Sequence, residues 1–153
     1  MSVQSSHPML SCTDRVATST ADALILVGRI LLGWLFLASA WGKLLNMGGY
    51  AAYLAALKVP SPEFFSWIGA PVELLIGIAL ILGIATRYAA LLCLLFLIVA
   101  TGLAHRYWEY PPAQVGAQYT NFLKNLAIFG GTLLLFVTGP GRISMDGTMA
   151  KKT

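Results

Sequence analysis

One carboxylate stands out in this sequence because it lies inside a long apolar segment. Glu73 falls near the middle of residues 64–85, which are otherwise almost entirely apolar. An ionisable group at the centre of a bilayer costs about 2.5–3.5 kcal/mol on insertion scales, so it is expected to have a partner or a chemical role. A carboxylate at that depth can carry a proton. Glu73 is therefore the candidate catalytic residue.

Five further polar side chains are candidates to act with Glu73 in binding a substrate. Each lies inside or at the end of an apolar segment, and they are Arg29, Lys43, His105, Lys124 and Asn125. Lysine and asparagine donate hydrogen bonds to carbonyl oxygens and anions. The set predicts a polar pocket for a quinone head group, a small anion or a proton path. No residues have the spacing of a metal site, and no metal is expected.

Four apolar segments must position these residues. They are residues 23–41, 64–85, 88–104 and 122–138 of a 153-residue chain that is 58% hydrophobic and 10% charged. A helix needs about 20 apolar residues to cross a bilayer, and soluble domains are about 25% charged, so the composition indicates a membrane protein. The predicted fold class is all-α, an integral membrane four-helix transmembrane bundle over residues 21–141. Residues 1–20 are expected to form a flexible tail and residues 142–153 a short one.

The positive charges favour one orientation of the spans. An even number of spans places both chain ends on one side, and that side has six basic residues: Arg15, Arg29, Arg87, Arg142, Lys151 and Lys152. The opposite side has four: Lys43, Lys58, Arg106 and Lys124. Because basic residues are more frequent on the cytoplasmic side, both termini are expected to be cytoplasmic. The charges are scattered and form no basic run, so nucleic-acid binding is not expected.

Two stripes of small residues predict packing faces on the first two spans. They are Arg29, Gly33, Phe36, Ala40 and Lys43 in the first span, and Gly69, Glu73 and Gly77 in the second. Spacings of three and four residues place each set on one helix face, and small residues let helices approach closely. Arg29 and Lys43 lie about 21 Å apart along the axis. Either could reach toward Glu73, so Glu73 is either a proton-handling group or one half of an ion pair that holds helices together.

The connections on the outer side carry two more expectations. Tyr50, Tyr53, Leu54 and Leu57 recur at helical spacing and predict a short amphipathic helix on the membrane surface. Pro111 and Pro112 with the polar residues after them predict an outer loop. The fourth span would then begin near residue 121, which places Lys124 about one turn inside it.

Three segments, in order and at four-span spacing, carry a family resemblance. They are Arg29-Ile30-Leu31-Leu32-Gly33 with Gly42-Lys43; Glu73-Leu74-Leu75-Ile76-Gly77 through Gly83 and Thr86-Arg87; and Asn121-Phe122-Leu123-Lys124-Asn125-Leu126-Ala127 with Gly130-Gly131. Over residues 28–141 the chain resembles the DoxX/DoxD family of small four-span membrane proteins.

The resemblance implies a bacterial inner-membrane protein with a redox role. Some members of the family are subunits of a thiosulfate:quinone oxidoreductase, and others are membrane partners in assemblies that handle oxidative or thiol stress. Cys12 and Cys93 form no C-x-x-C pair, and the chain has no motif for haem, flavin or nucleotide. The expected function is therefore a membrane subunit with a quinone or small-molecule pocket, a soluble redox partner and a possible homo-oligomeric state. The alternative is a non-enzymatic scaffold or small transporter.

Overall fold

The computed structural model describes residues 8–151, with side chains from residue 12 onward. Its helices are α1 (Pro8–Leu45), α2 (Met47–Ala56), α3 (Pro62–Leu82), α4 (Thr86–Ala104), α5 (Pro112–Thr138) and α6 (Met145–Met149), with a 3-10 turn at Tyr107–Glu109. Four of them, α1, α3, α4 and α5, are long and apolar enough to cross a membrane. Large side chains such as Leu31 and Leu134, 67% and 69% exposed, cover their outer faces, as contact with lipid requires. The predicted all-α four-helix transmembrane bundle is confirmed.

The first helix begins earlier than the sequence predicted. α1 already includes Pro8, so the expectation of a flexible tail up to residue 20 is wrong for residues 8–20; residues 1–7 lie outside the described part of the chain. The hydroxyls of Thr18 and Thr20 donate to the carbonyls of Asp14 and Val16, each at 2.7 Å. Hydroxyls that bond back to the preceding turn are compatible with a continuous helix, so these polar residues do not mark its start.

The fourth spanning helix also begins earlier, because the expected outer loop is helical. α5 starts at Pro112, where proline suits the first helical position because its missing N–H needs no partner there. Tyr119, in the expected loop, packs its ring 5.0 Å from that of Tyr107 in the 3-10 turn. Lys124 therefore lies about 18 Å along its helix rather than one turn from its beginning.

Two glycines bring α1 and α3 into close contact. A Cβ atom at Gly77 would lie 2.8 Å from the backbone nitrogen of Leu37 and 2.9 Å from the carbonyl oxygen of Gly33. A Cβ atom at Gly33 would in turn lie 2.7 Å from the carbonyl oxygen of Gly77. Backbones this close leave no room for a side chain on either helix. Each small-residue stripe therefore faces another helix, as predicted, and the structure shows that the two stripes lie against each other.

The remaining helices pack as a second pair against the first. α4 lies along α5, where Cys93 Sγ is 3.7 Å from Thr132 Oγ1, and α3 connects the pairs through its contacts with α4. The shared core consists of Phe36, Ile76, Leu80, Ala89, Cys93, Leu97, Ile128 and Leu135. The bundle thus has an α2 end, where α2 and the α4–α5 connection lie, and a C-terminal end, where α5 leaves the bundle.

The C-terminal segment is docked rather than free. The carboxylate of Asp146, in α6, accepts hydrogen bonds from the backbone N–H groups of Ala85 and Thr86, both at 2.8 Å, and from the Thr86 hydroxyl at 2.9 Å. Asp22 in α1 accepts a bond from the Arg142 backbone at 2.7 Å. Ala85 has a positive φ and no side-chain cap of its own for α4, so Asp146 takes the place of that cap. The described part of the expected 142–153 tail therefore belongs to the bundle.

Enlarging Gly77 should destabilise the bundle. We expect Gly77→Ala to lower the free energy of unfolding by about 1–3 kcal/mol, because the added methyl group meets backbone atoms that cannot rotate away. Gly28→Ala is the control, since nothing lies within 4 Å of a Cβ atom at Gly28. Thermal unfolding in detergent measures both. Equal melting temperatures for the two variants would contradict the close contact between α1 and α3.

Removing the Asp146 carboxylate should change how stability depends on pH. Burial raises the pKa of Asp146, but the hydrogen bonds from Thr86 and Ala85 and the charge of Arg29 outweigh it, so the net pKa is lowered. A lowered pKa contributes stability above the unfolded value, about 3.9, that is lost as the pH falls through the folded value. Melting curves between pH 7 and pH 3 should show wild type losing stability at the acid end.

The Asp146→Asn variant should have a lower melting temperature at pH 7, because loss of the cap lowers the free energy of unfolding by about 1 kcal/mol. Asp146→Asn should lose less stability than wild type as the pH falls, because the group that titrates is gone. Asp14→Asn, on the exposed part of α1, is the control. Parallel pH profiles for wild type and Asp146→Asn would contradict the capping role.

Candidate functional site

The Glu73 side chain forms an ion pair with Lys43. Lys43 lies close to the end of α1 and Glu73 in the middle of α3; because the two helices are antiparallel, the Lys43 Nζ atom reaches the Glu73 carboxylate and donates a hydrogen bond to Oε2. The Glu73 side chain is only 5% exposed, whereas that of Lys43 is 28% exposed. Lys43 is therefore the basic partner that the sequence left undecided.

A tyrosine of α2 lies against this ion pair. The Lys43 Nζ atom lies 5.1 Å from the ring centroid of Tyr50 in α2, within cation–π range. The Tyr50 hydroxyl lies only 2.9 Å from where a Cβ atom at Gly69 would be, so Gly69 makes room for it. Burial, and then the charge of Glu73, raise the pKa of Tyr50. The phenol therefore remains a neutral hydrogen-bond donor.

A cavity of about 530 Å³ opens beside the ion pair, between the two helix pairs at the α2 end. Its polar wall consists of Ser39, Lys43, Tyr50, Tyr53, Glu73, His105, Asn121, Lys124 and Asn125. The rest is apolar, from leucine, isoleucine, valine, alanine and phenylalanine side chains of α1 to α4. Small-molecule sites typically occupy about 300–1,000 Å³ and combine an apolar wall with a few polar groups. The cavity fits that description.

Three of the predicted residues reach the cavity from α5 and from the residue that follows α4. Asn125 Nδ2 donates to Thr101 Oγ1 at 2.9 Å, and Lys124 Nζ donates to Asn121 Oδ1 at 3.1 Å. The Nδ1 atom of His105 lies 2.8 Å from a side-chain oxygen of Gln118. These bonds orient the donors on the side of the cavity opposite α1.

Arg29 does not join this cavity. It lies 14 residues before Lys43 in α1, near the C-terminal end of the bundle, where its Nη2 atom donates to the Ile143 carbonyl at 2.5 Å. The side chain is 1% exposed, and a Cβ atom at Gly83 would overlap its guanidinium group. The expectation that Arg29 could reach Glu73 is thus corrected: five of the six predicted site residues lie together, and Arg29 holds the C-terminal segment instead.

Sequence reasoning missed Tyr50 as a site residue. Its position on the surface helix was predicted, but its contact with Lys43 depends on the break after Leu45, where Asn46 caps α2 by accepting a bond from Gly49 N–H at 2.9 Å. Within the residues described, no three His, Cys, Asp or Glu side chains come close enough to hold a metal ion.

The fold and the cavity define a small four-span membrane protein in which a buried ion pair borders an amphipathic cavity. The DoxX family model matches residues 24–106, more than half of the chain, and this segment includes Lys43, Tyr50, Glu73 and His105. The chain therefore belongs to the DoxX family.

Two relatives from Escherichia coli (strain K12) match most of the chain. Inner membrane protein YphA is 34% identical over 123 residues, which cover 80% of this chain and 88% of the relative. Inner membrane protein YqjF is 36% identical over 131 residues, covering 86% and 95%. The ER-derived vesicles protein ERV29 of Saccharomyces cerevisiae is 26% identical over 80% of this chain but only 33% of its own length. No solved structure matches significantly.

Removing both members of the ion pair should cost less stability than the sum of the two single removals. Lys43→Met or Glu73→Leu alone leaves one charge unpaired, and we expect each to cost about 1–3 kcal/mol, less than for a fully buried pair because Lys43 is partly exposed. The double variant should be about 1–2 kcal/mol more stable than the sum of the two losses predicts. Thermal unfolding in detergent of all four proteins gives this coupling energy.

The exposed pair Arg106–Glu109, with Nε and Oε2 3.1 Å apart, is the matched control. Its coupling energy should not exceed about 0.5 kcal/mol, because solvent and salt screen such pairs. Additive losses at Lys43 and Glu73 would show that their contact does not hold α1 against α3.

Proposed function

We propose that this protein is an inner-membrane component of a redox system and that it binds a quinone, or a small molecule of similar polarity, in the cavity at the α2 end. Family membership and the names of the two bacterial relatives support the inner-membrane location. The distribution of basic residues supports an orientation with cytoplasmic termini. The observation that carries the proposal is the cavity itself, which combines hydrogen-bond donors with a largely apolar wall.

The donors suit a ligand with carbonyl oxygens. Lys43 and Lys124 each have three N–H donors and are bonded here to one acceptor each, so both can bond a ligand as well. Tyr50 and Asn125 add neutral donors from α2 and α5. Donors therefore face the cavity from both sides, an arrangement that matches the two opposed carbonyl groups of a quinone.

Glu73 suits the proton chemistry of the same ligand. Reduction of a quinone to a quinol takes up two electrons and two protons. Glu73, bonded to Lys43 and bordering the cavity, can hold a proton for this step. The chain has no cofactor motif in its sequence, so the electrons would come from a partner redox protein, for which a soluble protein at the membrane surface is the simplest candidate.

One observation favours a second candidate function, a non-enzymatic scaffold or small transporter. The Lys43–Glu73 pair joins α1 directly to α3, so it can hold the helices together without any ligand. A scaffold needs the pair for stability alone, whereas a quinone site needs it for binding as well. Ligand affinity in variants that remain folded separates the two.

Titration of the purified protein in lipid nanodiscs with a ubiquinone analogue tests the proposal. We expect saturable binding to wild type, and binding at least about tenfold weaker, a loss of about 1.4 kcal/mol or more, to Glu73→Gln and Lys124→Met. Lys124→Met loses a charge-assisted hydrogen bond to the ligand, whereas Glu73→Gln loses the carboxylate that orients Lys43. Glu63→Gln makes the same change on an exposed part of α3 that does not line the cavity and should bind normally. Folding of each variant is checked by its melting temperature.

Two results would contradict the proposal in different ways. Absence of saturable binding to wild type would reject the quinone site and favour the scaffold. Binding that is equal in wild type and Glu73→Gln would keep the quinone but reject the role of Glu73.

A further inference from the structure

The amine of Lys43 lies where a carbonyl compound in the cavity can contact it. Its Nζ atom donates a hydrogen bond to Glu73, and both side chains line the cavity of about 530 Å³ at the α2 end. The Lys43 side chain is 28% exposed, whereas that of Glu73 is 5% exposed. An amine hydrogen-bonded to a carboxylate, at the edge of a largely apolar cavity, has the geometry of a nucleophile with its base.

Proton transfer within this pair gives a free amine without creating an isolated charge. An ammonium group is not a nucleophile, and lysines that form Schiff bases are activated by their surroundings. When Nζ of Lys43 gives a proton to Glu73, the ion pair becomes a neutral amine beside a neutral carboxylic acid. Because burial away from water disfavours charged forms, the apolar wall of the cavity lowers the free-energy cost of this transfer.

An imine at Lys43 preserves the charge balance of the ion pair. A protonated imine has the same single positive charge as the ammonium group that it replaces, so Glu73 keeps a cationic partner. The Tyr50 ring, whose centroid is 5.1 Å from Nζ, stabilises a cation at that position. Acylation of Lys43 would instead remove the charge and leave the Glu73 carboxylate buried without a partner, which is destabilising. The site therefore suits a carbonyl compound that forms an imine.

We propose that Lys43 forms a reversible imine with an apolar aldehyde in the cavity, and that Glu73 is the general base and general acid of the reaction. Glu73 takes a proton from Nζ, and the nitrogen lone pair forms a bond to the carbonyl carbon. A second proton moves from the nitrogen to the carbonyl oxygen, which gives a carbinolamine. Glu73 then gives its proton to the hydroxyl group, which leaves as water while the C–N double bond forms. The product is a protonated imine beside the Glu73 carboxylate, with no change in oxidation state.

This activity goes beyond the proposed function and does not depend on it. Hydrogen bonding of a quinone requires no bond to nitrogen, and imine formation requires no electron partner. An aldehyde has only a hydrogen atom beside its alkyl chain at the carbonyl carbon, so that the amine can approach it while the chain contacts the apolar wall.

Reductive trapping of the imine tests the proposal. The protein in phosphatidylcholine nanodiscs, which contain no lipid amine, is incubated with nonanal and sodium cyanoborohydride, and peptide mass spectrometry gives the initial rate of modification at each lysine. We expect Lys43 to react about tenfold or more faster than Lys58 and Lys124, although both of these are exposed and Lys124 lines the same cavity. The reason is that, among the residues described, neither of them has a carboxylate within ion-pair distance.

Three variants test the role of Glu73. We expect Glu73→Gln to slow trapping at Lys43 about tenfold or more, because positioned acid–base catalysis typically contributes about 10²–10⁴-fold. Glu73→Asp retains a carboxylate and should recover part of the rate. Glu63→Gln makes the same change on an exposed part of α3 and should react as wild type does. Melting temperatures show that each variant is folded, and the comparison of lysines within wild type needs no variant.

Each unfavourable outcome rejects a stated part of the proposal. Equal trapping at Lys43, Lys58 and Lys124 would overturn it, by showing that nonanal reacts with any amine it meets. Trapping in Glu73→Gln as fast as in wild type would overturn the acid–base role of Glu73. Glyceraldehyde, a polar aldehyde, should show a smaller preference for Lys43, and an equal preference would contradict the apolar class of ligand. Quinone binding without selective trapping rejects this inference alone, whereas selective trapping without quinone binding rejects the proposed function alone.

Discussion

The ion pair between Lys43 and Glu73 constrains the rest of this bundle. Hydrocarbon offers no water to solvate a carboxylate, so Glu73 near the middle of α3 requires a cation within reach. Lys43 meets that requirement only if α1 lies against α3 in one antiparallel register, and the same register places Gly33 against Gly77. Electrostatics and backbone packing therefore specify one arrangement of the two helices. The same ion pair helps to position α2, which begins just after α1, because the Tyr50 ring of α2 lies against Lys43.

The polar groups at the two ends of the bundle have different surroundings. At the C-terminal end, Asp146 takes the capping position of α4, and the Ile143 carbonyl accepts a bond from Arg29 Nη2, although the buried Nε and Nη1 atoms of Arg29 have no hydrogen-bond partner. At the α2 end, Lys43 keeps more than a quarter of its side chain exposed and borders a cavity. The first set docks the C-terminal segment on the bundle, whereas the second set borders a cavity with room for a ligand.

Periodicity predicted the packing faces of the helices better than the ends of the helices. The stripes through Gly33 and Gly77 identified faces that pack against another helix, because spacing along a helix determines which residues share a face. The predicted starts of two helices were wrong, because α1 begins at Pro8 and α5 at Pro112. Polar side chains that usually mark loops bond here within their own helices. The docking of Asp146 on Thr86, sixty residues away, depends on the fold and has no local signal. The contact of Arg29 with the Ile143 carbonyl has no local signal either. A basic residue in an apolar segment suggested the site, but its position along α1 places it at the C-terminal end.

The origin of a ligand matters for how this cavity could hold it. A small hydrated ion arriving from water exchanges hydrogen bonds with water for hydrogen bonds with Lys43 or Lys124, and the net gain of such an exchange is only about 0.5–1.5 kcal/mol per bond. A carbonyl compound arriving from the hydrocarbon has no hydrogen-bond partner to give up, so it retains much more of the strength of each bond it forms, about 4–6 kcal/mol in an apolar medium. Burial of apolar surface contributes little to a ligand that is already in lipid. For the proposed site around Lys43 and Glu73, this difference in hydrogen-bond energy favours a membrane-dissolved carbonyl compound over a small hydrated ion.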